Sequence, residues 1–424
     1  MSTLAIHGGA PVRARNDWPR WPQYDDDTER ALVGALRSRR WSVTWHSATG
    51  GKSRERSFAE SFAAYNDAAF CVSVDHGSSA LVIALEALGV GPGDEVVVPA
   101  MTWVAPATAV LRVGALPVLA DVDPASGCLT AATIHKVISP STKAVIAVHL
   151  ACTVASIDEI TEVTAQRGVA LIEDCSQAHG ARWQGKSVGT FGAVGVFSLG
   201  AAKPLAGGEA GAAITDDESL YRRMLMLRAD SRGYADQPPG PYEHELAEHA
   251  EIMGANYCMS ELTAALLLDQ LPRLDDQHIH REQRAKELHA ALSVMPGLSV
   301  VPVPQQVDRR AIYEYGIQFR PGTFGSTPID RVAAAVTAEL NTNVYPPRVP
   351  LHRSPLLRPH TKQRFARLWS EGAARARGRT YPGADHYRDH TLLLHHSALL
   401  GDPHDITDVV AAFEKVLTNR SSLG

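Results

Sequence analysis

From Ala69 to about Arg228 the chain alternates short, continuously apolar runs with stretches of helical spacing. Ala69–Val74, Glu95–Pro99, Leu116–Ala120, Ala144–Val148, Val169–Ile172 and Val194–Ser198 read as strands. Between them Ser78–Leu88, Ala107–Val113, Ala131–Ile138 and Ile157–Arg167 read as helices, and Gly91-Pro92-Gly93-Asp94 as a turn. Strands that are apolar throughout, not alternating, are buried on both faces. With helices between them they predict an α/β fold, a mostly parallel sheet covered by helices. The pattern then changes. Ser260–Leu292 is a long helical stretch broken near Pro272, followed by a strand at Tyr315–Phe319 and helices near Asp330–Leu340 and Ile406–Val416. This predicts a large domain over residues 1–250 and a smaller α+β domain over 251–424 that includes the long connecting helix. Gln237–Pro241 and Val344–Pro359 read as loops, and one as long as the second often carries function.

Several classes are excluded by composition and context. The charges are 41 Lys+Arg against 46 Asp+Glu, a net of −5 with no dense basic tract, so nucleic acid is not the expected partner. Hydrophobic residues make up 45%, too many for a disordered chain. Ala144–Ile157, interrupted by His149, Thr153 and Ser156, is too short to span a bilayer. No signal segment is visible at Met1–Ala5, and the five cysteines are scattered with no C-x-x-C pair. A cytoplasmic protein with reduced, mostly buried thiols is expected. Gly89-Val90-Gly91-Pro92-Gly93 looks like a dinucleotide loop but follows a helix and precedes a strand, the reverse of the required context. His386 and His390 stand four apart, but Pro382-Gly383 before them and the strand-like Leu392–Leu394 after them argue against a metal pair, and no metal site is expected.

Four places can carry chemistry. Asp75-His76-Gly77-Ser78-Ser79 joins a strand to a helix; Gly77 permits close backbone approach, and Ser78 and Ser79 offer hydroxyls and amides where the helix dipole favours an anion. The plainer reading is that Ser78 is a helix cap. Trp103, just after a strand, is either core or an aromatic platform. Asp174, in Glu173-Asp174-Cys175-Ser176-Gln177-Ala178-His179-Gly180, lies at the carboxyl end of a strand, where α/β sheets bind ligands; the alternative is a pair of solvated charges. Lys203 sits among small residues, Gly200-Ala201-Ala202 before it and Pro204 after it. Desolvation would make it a suitable Schiff-base amine, although most lone lysines are surface residues. Together a phosphate turn, an aromatic, an acid and a lysine match what pyridoxal 5'-phosphate requires of its site.

The order of these motifs resembles fold-type-I aminotransferases, and more specifically the DegT/DnrJ/EryC1/StrS family of sugar and cyclitol aminotransferases, from about Trp21 to Leu417. The resemblance rests on Gly77-Ser78-Ser79-Ala80-Leu81, Pro99–Trp103, Glu173–Gly180, Phe197-Ser198 with Lys203, and Gly254-Ala255-Asn256-Tyr257-Cys258-Met259-Ser260-Glu261. It implies that Lys203 and Asp174 are the catalytic pair, Asp174 at the pyridinium nitrogen. It also implies that Trp103 stacks on the ring, that Gln177 lies near the phenolic oxygen, and that Gly77, Ser78, Ser79 and Ser198 hold the phosphate. Asn256 would reach the neighbouring subunit's phosphate, which implies a homodimer with shared active sites. The expected activity is transfer of an amino group from L-glutamine or L-glutamate to a keto-cyclitol or keto-sugar in aminoglycoside-type metabolism. An aromatising elimination, as in 3-amino-5-hydroxybenzoate synthesis, or a carbon–carbon bond formation is the alternative, and a non-catalytic regulator a distant third. Trp21-Pro22-Gln23-Tyr24, Leu227–Arg232 and Tyr345–Leu356 resemble the inosose aminotransferases within the family. His76, Ala210 and Pro204 depart from the usual motifs and bear on the substrate.

Overall fold

The computed structural model describes residues 3–375 and 378–423. Seven strands form the larger sheet: β1 (Phe70–Val74), β2 (Glu95–Pro99), β3 (Leu116–Ala120), β4 (Thr142–Val148), β5 (Ala170–Asp174), β6 (Val194–Ser198) and β7 (Gly211–Thr215). Their order is β3-β2-β4-β5-β6-β7-β1. Pairings from β3 through β6 are parallel, whereas β7 runs antiparallel to both β6 and β1. The expected α/β class is the one observed. The β7 strand was not anticipated, because Gly211-Ala212-Ala213 is built from weak strand formers and takes its conformation from the neighbours on either side. Helix Gly77–Ala87 is apolar nearly all round and correspondingly buried, whereas Ile157–Arg167 buries only one stripe.

The second sheet is antiparallel throughout, with strands β8 (Leu298–Val300), β9 (Glu314–Phe319), β10 (Val344–Tyr345) and β11 (Thr391–His395) in the order β8-β9-β11-β10. The long helical stretch divides into Glu261–Gln270 and Leu274–Ser293 around a 3-10 turn at Leu271–Arg273, where Pro272 stands. The segment around Val12 and Arg13 packs against the C-terminal helices: Val12 N donates to Glu339 at 3.1 Å, and Arg13 pairs with Asp405 at 2.5 Å and Asp408 at 2.9 Å.

Three local expectations are corrected. The helix expected over Ala131–Ile138 ends at His135. The expected loop Val344–Pro359 begins with β10. Pro382 does not break a helix but occupies the first turn of one, Pro382–His390, where its missing N–H costs nothing. Asp121, just past β3, accepts from Gly383 N and Ala384 N at 3.0 Å each and so caps that helix from the other sheet. His386 and His390 do share its face, with rings stacked 4.3 Å apart, but His390 Nδ1 is turned to the His386 carbonyl at 3.0 Å. Among the described residues no helix is long and apolar enough to cross a membrane, and all five cysteines are free thiols, four of them buried.

Arg228 joins the N-terminal helices to the sheet. It is fully buried, pairs with the equally buried Glu55, and donates to Ser73 O at 2.9 Å; Tyr234 OH donates to the other Glu55 oxygen at 2.7 Å. Removing one member strands the other charge in the interior. Arg228→Met is expected to lower the unfolding free energy by about 3–5 kcal/mol, and a Glu55→Leu, Arg228→Met double variant to recover much of the loss, both read from urea denaturation midpoints.

Candidate active site

The carboxyl ends of β1, β2, β4, β5 and β6 lie along one edge of the large sheet, and the start of β9, the end of β10 and part of β11 face it from the small one. Between them is a cavity of about 290 Å³. Gly77, Ser78, Trp103, Asp174, Gln177, Ser198 and Lys203 all line it, together with His76, which the sequence marks as a departure, and with Tyr313, Glu314, Tyr345 and Arg348, to which it assigns no role. Ser79 and Asn256 do not line it. Ser79 is buried in the first helical turn, and Asn256 is exposed, its Oδ1 accepting from Cys258 N at 3.2 Å.

The turn after β1 is narrow because two glycines meet there. Gly211 stands opposite both Val74 and Ser198 in the sheet, and a Cβ on it would come within 2.4 Å of Gly77 N. A Cβ on Gly77 would lie 2.9 Å from Ser198 Cβ. The backbone of the turn is therefore pressed against the end of β6. The cap position is His76, not Ser78, and it offers no side-chain cap bond; its carbonyl accepts from Ser79 N at 3.0 Å, which leaves the Gly77 and Ser78 amides without an intrahelical partner. Those amides, with the Ser78 and Ser198 hydroxyls at the cavity wall, form a cradle fit for a phosphate.

Glu173 and Asp174 are successive residues of β5 and so face opposite ways. Both are buried, which disposes of the solvated-charge alternative. Glu173 is fully engaged: one oxygen accepts from Phe191 N (2.7 Å) and Gly192 N (2.8 Å), the other from Gly189 N (2.9 Å) and His149 Nε2 (3.3 Å). His149 Nδ1 accepts from Ala155 N at 3.2 Å, so the proton lies on Nε2. Among the described residues His149, Glu173 and Cys175 are the one group spaced like metal ligands, and these hydrogen bonds account for it. Asp174 instead faces the cavity, with Ser176 N donating to Oδ1 at 3.0 Å. Burial pushes its carboxyl up, against the Ser176 bonds and the charge of Lys203.

Lys203 is held in the loop between β6 and β7, its Nζ 4.0 Å from the centre of the Tyr313 ring. Desolvation brings its amine down to about 8, although Glu314 and Asp174 both oppose the shift. Glu314 is buried, accepts from Tyr345 OH at 2.7 Å, and is itself pushed up by burial. His179 Nε2 donates to Ser198 O at 2.8 Å; burial lowers this ring to about 3, so it is a neutral prop for the end of β6. Gln177 Oε1 accepts from Ala151 N at 2.6 Å, leaving its amide N–H groups for the cavity. Trp103 is 42% exposed, a platform at the mouth and not a core residue, with the Arg348 guanidinium 4.7 Å from its ring centre.

A phosphate cradle, an unsaturated buried acid and a desolvated lysine around one cavity define an enzyme that works through a phosphorylated carbonyl cofactor. The chain belongs to the DegT/DnrJ/EryC1/StrS aminotransferase family, which residues 31–413 match. It is therefore an aminotransferase whose cofactor is pyridoxal 5'-phosphate. The chain is 43% identical over 422 residues to the L-glutamine:2-deoxy-scyllo-inosose aminotransferase of Streptoalloteichus tenebrarius, covering 99% of both chains. It is 41% identical over 420 residues to the L-glutamine:scyllo-inosose aminotransferase of Streptomyces griseus, covering 99% of this chain and 98% of that one. Among solved structures, 3-amino-5-hydroxybenzoic acid synthase aligns with TM-score 0.80 at 29% identity over 98% of this chain and 100% of that one. DesV of S. venezuelae in complex with a ketimine intermediate aligns with TM-score 0.75 at 28% identity over 94% and 99%.

Tyr313 and Glu314 carry no local motif, and Tyr345 and Arg348 stand out only as part of the long Val344–Pro359 segment and its Tyr345–Leu356 resemblance, with no role of their own. In cofactor-free protein the Lys203 amine is expected to titrate near 8. Because the unfolded value of 10.5 lies above this, the unfolded chain binds more protons between the two values, and this lysine's contribution makes stability rise with pH there. Glu314→Gln or Asp174→Asn removes a charge that raises the amine and should move it lower still. The pH dependence of Lys203 labelling by an amine-directed reagent, read by peptide mass spectrometry, checks this; a midpoint at 10.5 in the wild type would mean a solvated amine.

Proposed function

We propose that the chain transfers the amino group of L-glutamine or L-glutamate to a keto-cyclitol in aminoglycoside-type secondary metabolism, in the cytoplasm. The observation that carries the substrate class is the end-to-end likeness to the glutamine:inosose aminotransferases. Pyridoxal phosphate, when bound, supplies the carbonyl that takes up the amino group and the ring that takes up electrons. The cradle of Gly77, Ser78 and Ser198 would hold its phosphate, Trp103 its ring plane, Gln177 its phenolic oxygen and Asp174 the proton on its ring nitrogen. Lys203 would hold the carbonyl and would move the proton from the donor's Cα. Its lowered amine is suited to that, being partly neutral near pH 8.

The donor brings an α-carboxylate and a keto-cyclitol brings none. Among the described residues, and apart from His76 at the phosphate turn, the cavity's basic side chains are Lys203 and Arg348. Lys203 is committed to the chemistry, so Arg348 is the group left for the carboxylate. A division near residue 250 belongs to the same reading, since the seven strands of the large sheet precede it and the four of the small sheet follow it. So does a homodimer: Asn256 is exposed beside a segment where Tyr242 is 68% and Met253 93% exposed. Light scattering should return twice the chain mass.

The principal test incubates the purified protein with L-glutamine and a panel of keto-cyclitols and nucleotide keto-sugars, with products read by mass spectrometry. An aminated cyclitol is expected; an aromatised product or none would sink the assignment. The wild type should show an imine absorbance band that Lys203→Ala abolishes. Arg348→Ala should raise KM for L-glutamine by roughly 30-fold or more, as losing a partner of about 2 kcal/mol does, with KM for the acceptor within about twofold.

A further inference from the structure

Gly200, Ala201, Ala202 and Lys203 form a tight turn in which Lys203 N donates to Gly200 O at 2.9 Å. The carbonyls of the two central residues project outward from such a turn and need partners elsewhere. Trp21 Nε1 donates to Ala201 O at 3.0 Å. His395 Nε2 and His396 Nε2 converge on Ala202 O at 3.1 and 3.2 Å. The Ala202–Lys203 peptide is thus pinned at both ends, its N–H by Gly200 and both lone pairs of its oxygen by imidazoles. The following peptide has no N–H, because Pro204 follows, and that ring also restricts the Lys203 backbone.

The imidazoles are set up as donors. His395 Nδ1 lies 2.9 Å from Ser397 Oγ and accepts from Ser397 N at 3.4 Å, which leaves the proton on Nε2. His396 is fully buried and its Nδ1 has no partner, consistent with the same tautomer. Trp21 meets the His396 ring edge-on at 4.5 Å and 81°, and the Arg281 guanidinium lies 5.3 Å from the Trp21 ring. The Trp21-Pro22 segment, which the cavity does not account for, thereby gains a task.

We propose that Trp21, His395 and His396 are positioning residues for Lys203, fixing the two peptides before it so that its amine is delivered to one place over the Tyr313 ring. This rests on the reading of Lys203 as the Schiff-base lysine. None of the three lines the cavity. Loss of the clamp should therefore affect the rate of the step that Lys203 performs and leave donor binding alone.

The test uses the cofactor-loaded enzyme and the variants Trp21→Phe, His396→Phe and His396→Gln, the last keeping an N–H donor. In single turnover with L-glutamine, both Phe variants should keep the imine band and the apparent Kd while the limiting rate falls about tenfold, within the hundredfold a 1 Å misplacement can cost. His396→Gln should return to within about threefold of the wild type. In cofactor-free protein the Phe variants should label Lys203 at an altered rate while their urea denaturation midpoints stay at the wild-type value, which separates a displaced amine from a loosened fold. Wild-type rates and labelling in both Phe variants, or equal losses in His396→Gln and His396→Phe, would overturn the proposal. If His396→Phe fails to fold, Trp21→Phe decides it on the same measurements. A wild-type protein with no imine band would instead overturn the assignment of Lys203, an outcome distinct from a failed clamp.

Discussion

Much of the site depends on one buried carboxylate and its four hydrogen bonds. Glu173 takes amides from Gly189, Phe191 and Gly192 and the Nε2 proton of His149. Charge-assisted bonds of this kind are short and strong, and a buried carboxylate would be costly without them. Through them Glu173 fixes the turn that feeds β6, and with it the position of Ser198. Through His149 it also steadies the segment after β4. Because strand residues alternate, saturating Glu173 on one face leaves Asp174 on the other with only the Ser176 contacts and an open side toward the cavity. Two adjacent acids thus acquire opposite roles from the pleat of one strand.

The second dependence is the seam between the sheets. The peptide of Ala151, just after β4, donates to Gln177 Oε1 at 2.6 Å and accepts from Tyr313 N at 3.0 Å. Gln177, a cavity residue of the large sheet, and the aromatic beneath Lys203 from the small sheet are thereby tied to the backbone of one residue. Leu351 N to Ala100 O at 2.7 Å and the Asp121 cap on helix Pro382–His390 make the same connection on the far side. The cavity is consequently assembled from both sheets, which allows Glu314 and Arg348 to face Lys203.

The sequence was most legible where a single stretch of chain carries both fold and chemistry. The apolar runs at β2, β4 and β6 are buried on both faces and read directly as strands, and the candidates at Gly77, Asp174, Ser198 and Lys203 follow strand ends within a few residues. It was least legible where context replaces local preference. The β7 strand is small-residue chain held between β1 and β6, and Pro382 starts a helix because Asp121, more than 250 residues earlier in the chain, supplies its cap. Glu314 and Arg348 lie more than a hundred residues beyond Lys203 and meet it only through packing of the second sheet. Asn256 shows the remaining gap: its side chain faces outward, and one chain alone gives it only a local bond.

The charges in the cavity oppose the resting stability of the protein. Burial raises Asp174 and Glu314 and lowers the Lys203 amine, so each group is held away from the ionisation it would choose in water. A core selected for stability alone would have replaced them with apolar side chains. The cradle at Gly77 adds amides with no intrahelical acceptor, another unsatisfied polarity gathered at the same cavity. On the proposed assignment, a dianionic phosphate, a protonated ring nitrogen and a carbonyl for the amine would each relieve one of these mismatches. A ligand that binds the folded chain alone then stabilises it in proportion to the mismatch removed. The same groups that oppose stability would on that assignment make the cavity selective for this cofactor, and the Glu173 network and the sheet seam hold them in place.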